Sequence, residues 1–132
     1  MSFDYKKMTL LKGDASFRKF YKKNNSIFVY SKKKKKQNLL NYDAINKLLL
    51  KNRISAPKLI SEGYNNNYIE IQYLGKKTIF DILKNNRTNK LKLYQKILII
   101  LLKLQNIKAK KIKNFQEKYY KIPIYSKNLL FK

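Results

Sequence analysis

Small residues that can bring the main chain close to an anion lie near the amino terminus. Gly13, Ala15 and Ser16 fall within four positions, and Ser16 adds a hydroxyl donor. A tight turn of such residues lets backbone N–H groups approach phosphate oxygens without obstruction from a side chain. Such a turn can hold an anion, and Arg18 or Lys19 would add positive charge beside it. The competing interpretation for these two is that they point into solvent from a strand.

The residue types that are absent limit the chemistry further. The chain has no histidine and no cysteine, which excludes disulfides, thiolate or imidazole metal sites and a histidine base. After Asp81 the only acidic residue is Glu117. Phosphoryl transfer needs a carboxylate base and a second group that holds Mg²⁺. The sequence therefore predicts no catalytic and no metal-binding residue, and Glu117 receives no catalytic role.

Strands and one helix must position the turn. Apolar positions on both sides of Gly13 predict a hairpin over Thr9–Lys22, and the β-branched and aromatic run SIFVY predicts a third strand over Ser26–Tyr30. Apolar residues spaced three and four apart predict a helix over Gln37–Lys51. The lysine run before it favours a solvated loop, with an anion-binding patch as the alternative.

The second half of the chain is predicted to hold two more strands and two helices. After short strands over Lys58–Ile60 and Tyr68–Leu74, Thr78 caps a short helix and Thr88 caps a longer one over Lys90–Ile107. The later part of the long helix, Ile97–Leu104, is apolar nearly all round, so it is expected to be buried by neighbours. It is far shorter than the roughly 20 residues that span a membrane.

Several segments resemble one family of small-molecule kinases. The most specific is GDASFRKFY, and the others follow in register along the chain: SIFVY, ISAPKLI, IEIQYLGKKTIFDIL, LLKLQ and IPIYSKNLLFK. Together they resemble the aminoglycoside phosphotransferase (choline kinase-like) family, and within it the bacterial N-acetylmuramate/N-acetylglucosamine anomeric kinases of cell-wall recycling. The match spans nearly all of this chain and the first third to half of a full family member.

The resemblance implies an α+β fold, with a kinase-like amino-terminal lobe over residues 1–75 and a hinge with the first helices of a truncated carboxyl-terminal lobe over 76–132. It implies ATP as the cofactor, with phosphates at the Gly13 turn. The adenine would lie against the connection from Gln72 to Gly75, with Ile60 and Leu74 as apolar walls. The alternative is that Leu74 is a plain core residue and Gly75 a plain turn. Mg²⁺ is expected only with the missing lobe, and that lobe, encoded separately, is an expected partner.

The chain departs from the family where the phosphates would be held. Kinases of this fold pair a lysine of the third strand with a glutamate of the following helix. Here the strand ends in Tyr30-Ser31, the helix offers Asp43 and Lys47, and Lys32 comes one place too late to be assigned. Without the catalytic and magnesium-binding loops, the predicted function is that of an amino-sugar kinase fragment that is inactive alone.

The charge supports an alternative function. The formal net charge is +25, which would attract nucleic acid, but the basic residues are nearly all lysine and only Arg18, Arg53 and Arg87 offer a bidentate fork. The charge therefore has two interpretations. One is compositional drift, and the other is a small basic nucleic-acid-binding protein that uses Tyr119-Tyr120 and the adjacent lysines. The amino terminus lacks an apolar signal region, which predicts a cytoplasmic protein without a membrane partner.

Overall fold

The order of elements along the chain follows the predicted pattern in its first two thirds. The structure, a computed structural model, describes residues 5–11, 17–85, 89–108 and 111–122. Its strands and α-helices are β1 (Thr9–Leu10), β2 (Arg18–Lys23), β3 (Ser26–Ser31), α1 (Gln37–Lys51), β4 (Leu59–Gly63), β5 (Tyr68–Gln72), α2 (Ile79–Leu83), α3 (Lys90–Gln105), β6 (Lys111–Lys113) and β7 (Tyr119–Lys121).

The first five strands form one antiparallel sheet in the order β1-β2-β3-β5-β4. A two-residue turn joins β2 to β3, and its first residue, Asn24, has a φ of 51°. Asparagine tolerates this left-handed conformation, which suits the tight turn of a twisted hairpin. Asn67, with a φ of 65°, makes the corresponding turn before β5. The mixed fold is therefore a five-stranded antiparallel sheet with a few helices.

Alternation along the strands directs one face of the sheet toward α1. Ile27 and Val29 of β3 and Ile69 and Ile71 of β5 are paired across the two central strands and buried, and Leu39 of α1 packs on them. Burying side chains of this size stabilises the fold by about 1.5–3 kcal/mol each. The core therefore lies between α1 and the centre of the sheet.

The opposite face of the sheet is aromatic. The rings of Phe28 and Tyr68 lie 5.7 Å apart on neighbouring strands, within the range of a favourable aromatic pair. Tyr68 also covers Gly63 of the paired strand β4, where an added Cβ would overlap the tyrosine ring. Any side chain at position 63 would therefore require the Tyr68 ring to move.

The β6–β7 hairpin packs against α1 and is an element that the sequence patterns did not predict. Asn114, buried in its turn, accepts hydrogen bonds from the N–H groups of Gln116 and Lys118 through Oδ1. The adjacent Phe115 packs against the core and meets the Tyr64 ring edge-on at 5.8 Å. One side chain therefore ties this hairpin to the main sheet.

Most of the helix predictions are confirmed, and two details of α3 are wrong. α1 has the predicted bounds, and Thr78 begins α2 in a capping box with Asp81. The cap of α3 is Asn89 rather than Thr88, because the Asn89 side chain accepts the Lys92 N–H at 2.9 Å.

The predicted burial of Ile97–Leu104 is also wrong. Leu98, Leu101 and Leu102 are 58%, 48% and 57% exposed. The apolar face of α1 is already occupied by the sheet, so it is not available to cover α3. Asn52, at the end of α1, lies beside the later turns of this helix.

Candidate functional site

The predicted phosphate-binding turn connects the first two strands of the sheet. Gly13, Ala15 and Ser16 lie outside the described residues. On either side of them the strands pair, with Leu10 opposite Tyr21 and the Leu11 N–H donating to the Phe20 carbonyl at 2.9 Å. The neighbouring strands are those of the predicted hairpin, and the role of the turn stays a prediction.

Arg18 and Lys19 point to opposite sides of β2. Lys19 is exposed, as the solvent interpretation expected. Arg18 is half-buried, and its guanidinium lies 4.8 Å from the centre of the Tyr42 ring on α1. This cation–π contact holds Arg18 on the α1 side of the sheet. Arg18 is the better placed of the two to present a fixed charge.

The connection after β5 is open to solvent. Leu74 is 58% exposed, so the interpretation of Leu74 as a plain core residue is wrong. Gly75 has a φ of +105°, which side chains rarely adopt, and no atom lies within 4 Å of where its Cβ would be. Beside this connection, Lys22 Nζ lies 4.2 Å from the centre of the Tyr73 ring. Ile60, the other predicted wall, is 56% exposed.

Asp43 and Lys47 of α1, the residues found in place of a kinase glutamate, pair with each other. Lys47 Nζ lies 3.2 Å from Asp43 Oδ2, and the side chain of Asp43 is only 2% exposed. That contact is an ion pair without good hydrogen-bond geometry, since Oδ2 has no hydrogen-bond donor among the described residues. The backbone N–H of Phe115 also reaches the carboxylate. Burial raises the pKa of Asp43, and Lys47 and the Phe115 N–H offset part of that rise.

The end of β3 carries no lysine at the position where the resemblance would require one. Ser31 is fully buried, and its hydroxyl donates to the Lys35 carbonyl at 2.9 Å. Lys32 follows it, exposed, at the start of a 3₁₀ turn over Lys33–Lys35. The ion pair between third strand and helix that the resemblance would require is not found in the described residues, where Asp43 pairs with Lys47 within α1.

The remaining carboxylates of the described residues all make local contacts. Glu70 accepts from the Ser61 hydroxyl at 2.7 Å, and Glu62 accepts from the Tyr64 N–H at 2.8 Å. Asp81 accepts from Thr78, and these hydrogen bonds hold the pKa of Asp81 below its usual range.

Glu117, the last of these acids, pairs with Lys113 at 3.2 Å. No group of three acidic residues that could hold a metal ion occurs in the described ranges. The carboxylates seen here serve caps, turns and ion pairs.

A lysine-rich groove of about 530 Å³ lies between the second half of α1 and the β6–β7 hairpin. Half of its lining residues are lysines, and the full set is Lys47, Leu48, Lys51, Asn52, Lys111, Ile112, Lys113 and Tyr119. Tyr119 is 61% exposed, and the ammonium groups of Lys111 and Lys113 lie 4.6 and 5.7 Å from its ring centre.

The sequence pattern singled out Tyr119-Tyr120 as a pair, and the structure separates them. Tyr120 pairs across the hairpin with Ile112 and is half-buried, whereas Tyr119 is opposite Lys113 on the other face. The cations beside Tyr119 come from β6 rather than from its neighbours in sequence. The sequence did contain a signal for this separation. Neighbouring residues of a strand point to opposite faces, so the strands Lys-Ile-Lys and Tyr-Tyr-Lys place Tyr119 and Tyr120 on different sides of the hairpin.

Comparison with family models, curated proteins and solved structures finds no significant match for this chain. Among the helices in the described ranges, none combines the length and apolar character that crossing a bilayer requires.

Proposed function

We propose that this chain is the nucleotide-binding lobe of a small-molecule kinase of the aminoglycoside phosphotransferase type. The observation that carries the proposal is the sheet order β1-β2-β3-β5-β4, with the single long helix α1 between β3 and β4. A glycine-bearing connection and two further helices follow β5, as the resemblance implies. Because fold alone does not define a function, the proposal also depends on the residues around the connection.

The proposed nucleotide site lies between the Gly13 turn and the connection after β5. Leu74, more than half exposed, offers an apolar wall for adenine, and Gly75 leaves the space beside it open. Arg18, fixed on Tyr42, supplies positive charge at the start of β2. The donor would be ATP, and an amino-sugar hydroxyl would accept the phosphoryl group.

This lobe is not proposed to carry out phosphoryl transfer alone. The transfer needs a base and carboxylates that hold Mg²⁺. The described carboxylates are engaged in local contacts, and the α1 carboxylate faces Lys47 instead of a strand lysine. A second lobe would have to supply the base and the magnesium ligands.

The exposed helix α3 provides a surface for such a second lobe. Leu98 and Leu102 are each more than half exposed, and the lysines of the helix are not balanced by any acidic residue within it. Two copies of a chain with a net charge of +25 repel each other, which disfavours self-association through this surface. The proposal therefore favours a helical partner with acidic residues around an apolar face.

The test must separate nucleotide recognition from simple attraction of phosphate, because so basic a chain binds any polyphosphate. Affinities for ATP and for inorganic tripolyphosphate are compared by isothermal titration calorimetry at one ionic strength. Tighter binding of ATP is expected, since only ATP offers an adenine to the connection after β5.

Two variants locate the ATP preference. Gly13→Val should remove much of the affinity for ATP, because a branched side chain would keep the turn away from the phosphates. Lys33→Gln, a control in the exposed lysine run, should leave the ratio of the two affinities unchanged. Equal affinity of the wild-type chain for ATP and tripolyphosphate would refute the proposed nucleotide site.

A further inference from the structure

The groove between α1 and the β6–β7 hairpin carries more positive charge than its local acids neutralise. Lys47 is paired with Asp43 and Lys113 with Glu117. Lys51 and Lys111, which also line the groove, have no acidic partner within the described residues. The groove therefore keeps an excess of positive charge after its ion pairs are counted.

The hairpin register adds to this charge. Lys111 lies directly opposite Lys121 on β7. Side chains in such positions have Cβ atoms about 4.5–5.5 Å apart, and like charges there destabilise the pairing. An anion bound beside both lysines would relieve that repulsion. This face of the hairpin is therefore suited to a negatively charged ligand.

Tyr119 supplies the second part of a binding site. It precedes Lys121 by two residues on β7, so that Lys111, Lys113, Tyr119 and Lys121 share one face of the hairpin. Its ring is 61% exposed and forms part of the groove wall. An exposed aromatic ring among ammonium groups can stack with a base while the cations contact phosphates.

We propose that this groove binds single-stranded nucleic acid without sequence preference. Tyr119 stacks on one base, and Lys51, Lys111 and Lys121 contact the phosphates on either side of it. Lysine is a point charge without the planar fork that reads base edges, so the site distinguishes a strand with bases from other polyanions but not one sequence from another. This site is separate from the proposed nucleotide site and does not depend on it.

The stacking part of the proposal is tested with two fluorescein-labelled 12-mers, oligothymidylate and an abasic strand of equal phosphate count. Fluorescence anisotropy should show tighter binding of oligothymidylate by wild type. Tyr119→Ala should weaken that binding at least about fivefold, the effect of losing one stacked base, and should not affect the abasic strand. Tyr119→Phe keeps the ring and should retain the preference. Tyr94→Ala is the matched control, because Tyr94 is a similarly exposed tyrosine, 52%, on α3.

The charge part is tested with two double variants of identical net charge. Lys51→Gln/Lys111→Gln removes two groove cations, whereas Lys33→Gln/Lys34→Gln removes two exposed lysines of the run before α1. The groove variant should reduce the slope of log affinity against log salt by about 1.4, the value for two phosphate contacts on a single strand. The control should change the slope much less.

Two results would overturn the proposal. Equal losses for the two double variants would mean that the overall charge attracts nucleic acid and that the groove does not. Equal affinity of wild type for oligothymidylate and the abasic strand would mean that no base is stacked. Far-UV circular dichroism of each variant confirms that the fold is intact, as expected for substitutions of exposed side chains.

Discussion

Replacing Asp43 separates the charge of a buried carboxylate from its ability to accept hydrogen bonds. Asp43→Asn keeps an oxygen for the Phe115 N–H and removes the charge. The lost ion pair is worth about 0–1 kcal/mol, because the Lys47 side chain is 39% exposed. The cost of burying the charge is removed at the same time. We therefore expect the asparagine variant to lie within about 1 kcal/mol of wild type at pH 7.

Two further substitutions should cost more than Asp43→Asn. Asp43→Ala removes the acceptor of the Phe115 N–H that Asp43→Asn keeps, and a hydrogen bond of this kind contributes about 0.5–1.5 kcal/mol. Lys47→Ala loses the same attraction of about 0–1 kcal/mol but, unlike Asp43→Asn, leaves the cost of burying the Asp43 charge in place. The expected order of stability is wild type and Asp43→Asn first, then the two alanine variants.

The pH dependence follows from the raised pKa of Asp43. A carboxyl with a higher pKa in the folded than in the unfolded state contributes most to stability below its unfolded pKa. That contribution is lost as the pH rises through the folded pKa. The stability of Asp43→Asn relative to wild type should therefore increase on going from acid to neutral pH.

Urea denaturation followed by far-UV circular dichroism measures these free energies of unfolding at acid and neutral pH. The reasoning would be refuted if Asp43→Asn cost as much as Asp43→Ala at pH 7, because the charge itself would then be net stabilising. A relative stability of Asp43→Asn that falls as pH rises would contradict the direction of the pKa shift.

Substitutions at three other positions test the packing. Gly63→Ala should destabilise the fold by about 1–3 kcal/mol, because its methyl group would overlap the Tyr68 ring. Urea denaturation measures this loss. The double variant Gly63→Ala/Tyr68→Ala, in which the overlap is removed, tests whether the overlap is its cause. Leu101→Gln should change the free energy of unfolding by less than about 0.5 kcal/mol, since Leu101 is 48% exposed, and it should reduce the fluorescence of a bound apolar dye. Leu39→Ala, at a fully buried site, should cost about 2–5 kcal/mol in the same assay, and equal effects at positions 39 and 101 would contradict the burial described here.

Local patterns determine the sheet and α1 well enough to predict them. The leucines of α1 recur on one helical face, and SIFVY carries the β-branched and aromatic residues of a central strand. Thr78 begins α2 as predicted, because a capping box needs only residues three apart. Each of these features depends on neighbours within one or two turns of chain.

The features that were missed depend on contacts between distant residues. Nothing in the composition of α3 reveals that the partner face of α1 is already occupied by the sheet. The three-residue strands β6 and β7 are too short for a periodic signal, and the hydrogen bonds of Asn114 define their turn. The cluster around Tyr119 likewise needs the hairpin register, which brings Lys111 and Lys113 to it.

The distance in sequence between paired strands is also expected to affect the order in which the sheet assembles. β1, β2 and β3 are neighbours in both sequence and sheet, so their pairings close only short loops. The pairing of β3 with β5 joins Ser26 to Gln72 across the whole of α1. Closing that loop costs entropy before its contacts are made, so we expect the β3–β5 pairing to form in the rate-limiting step of folding. Substitution of Ile69 should then slow folding, whereas substitution in β1, at the edge of the sheet, should mainly accelerate unfolding.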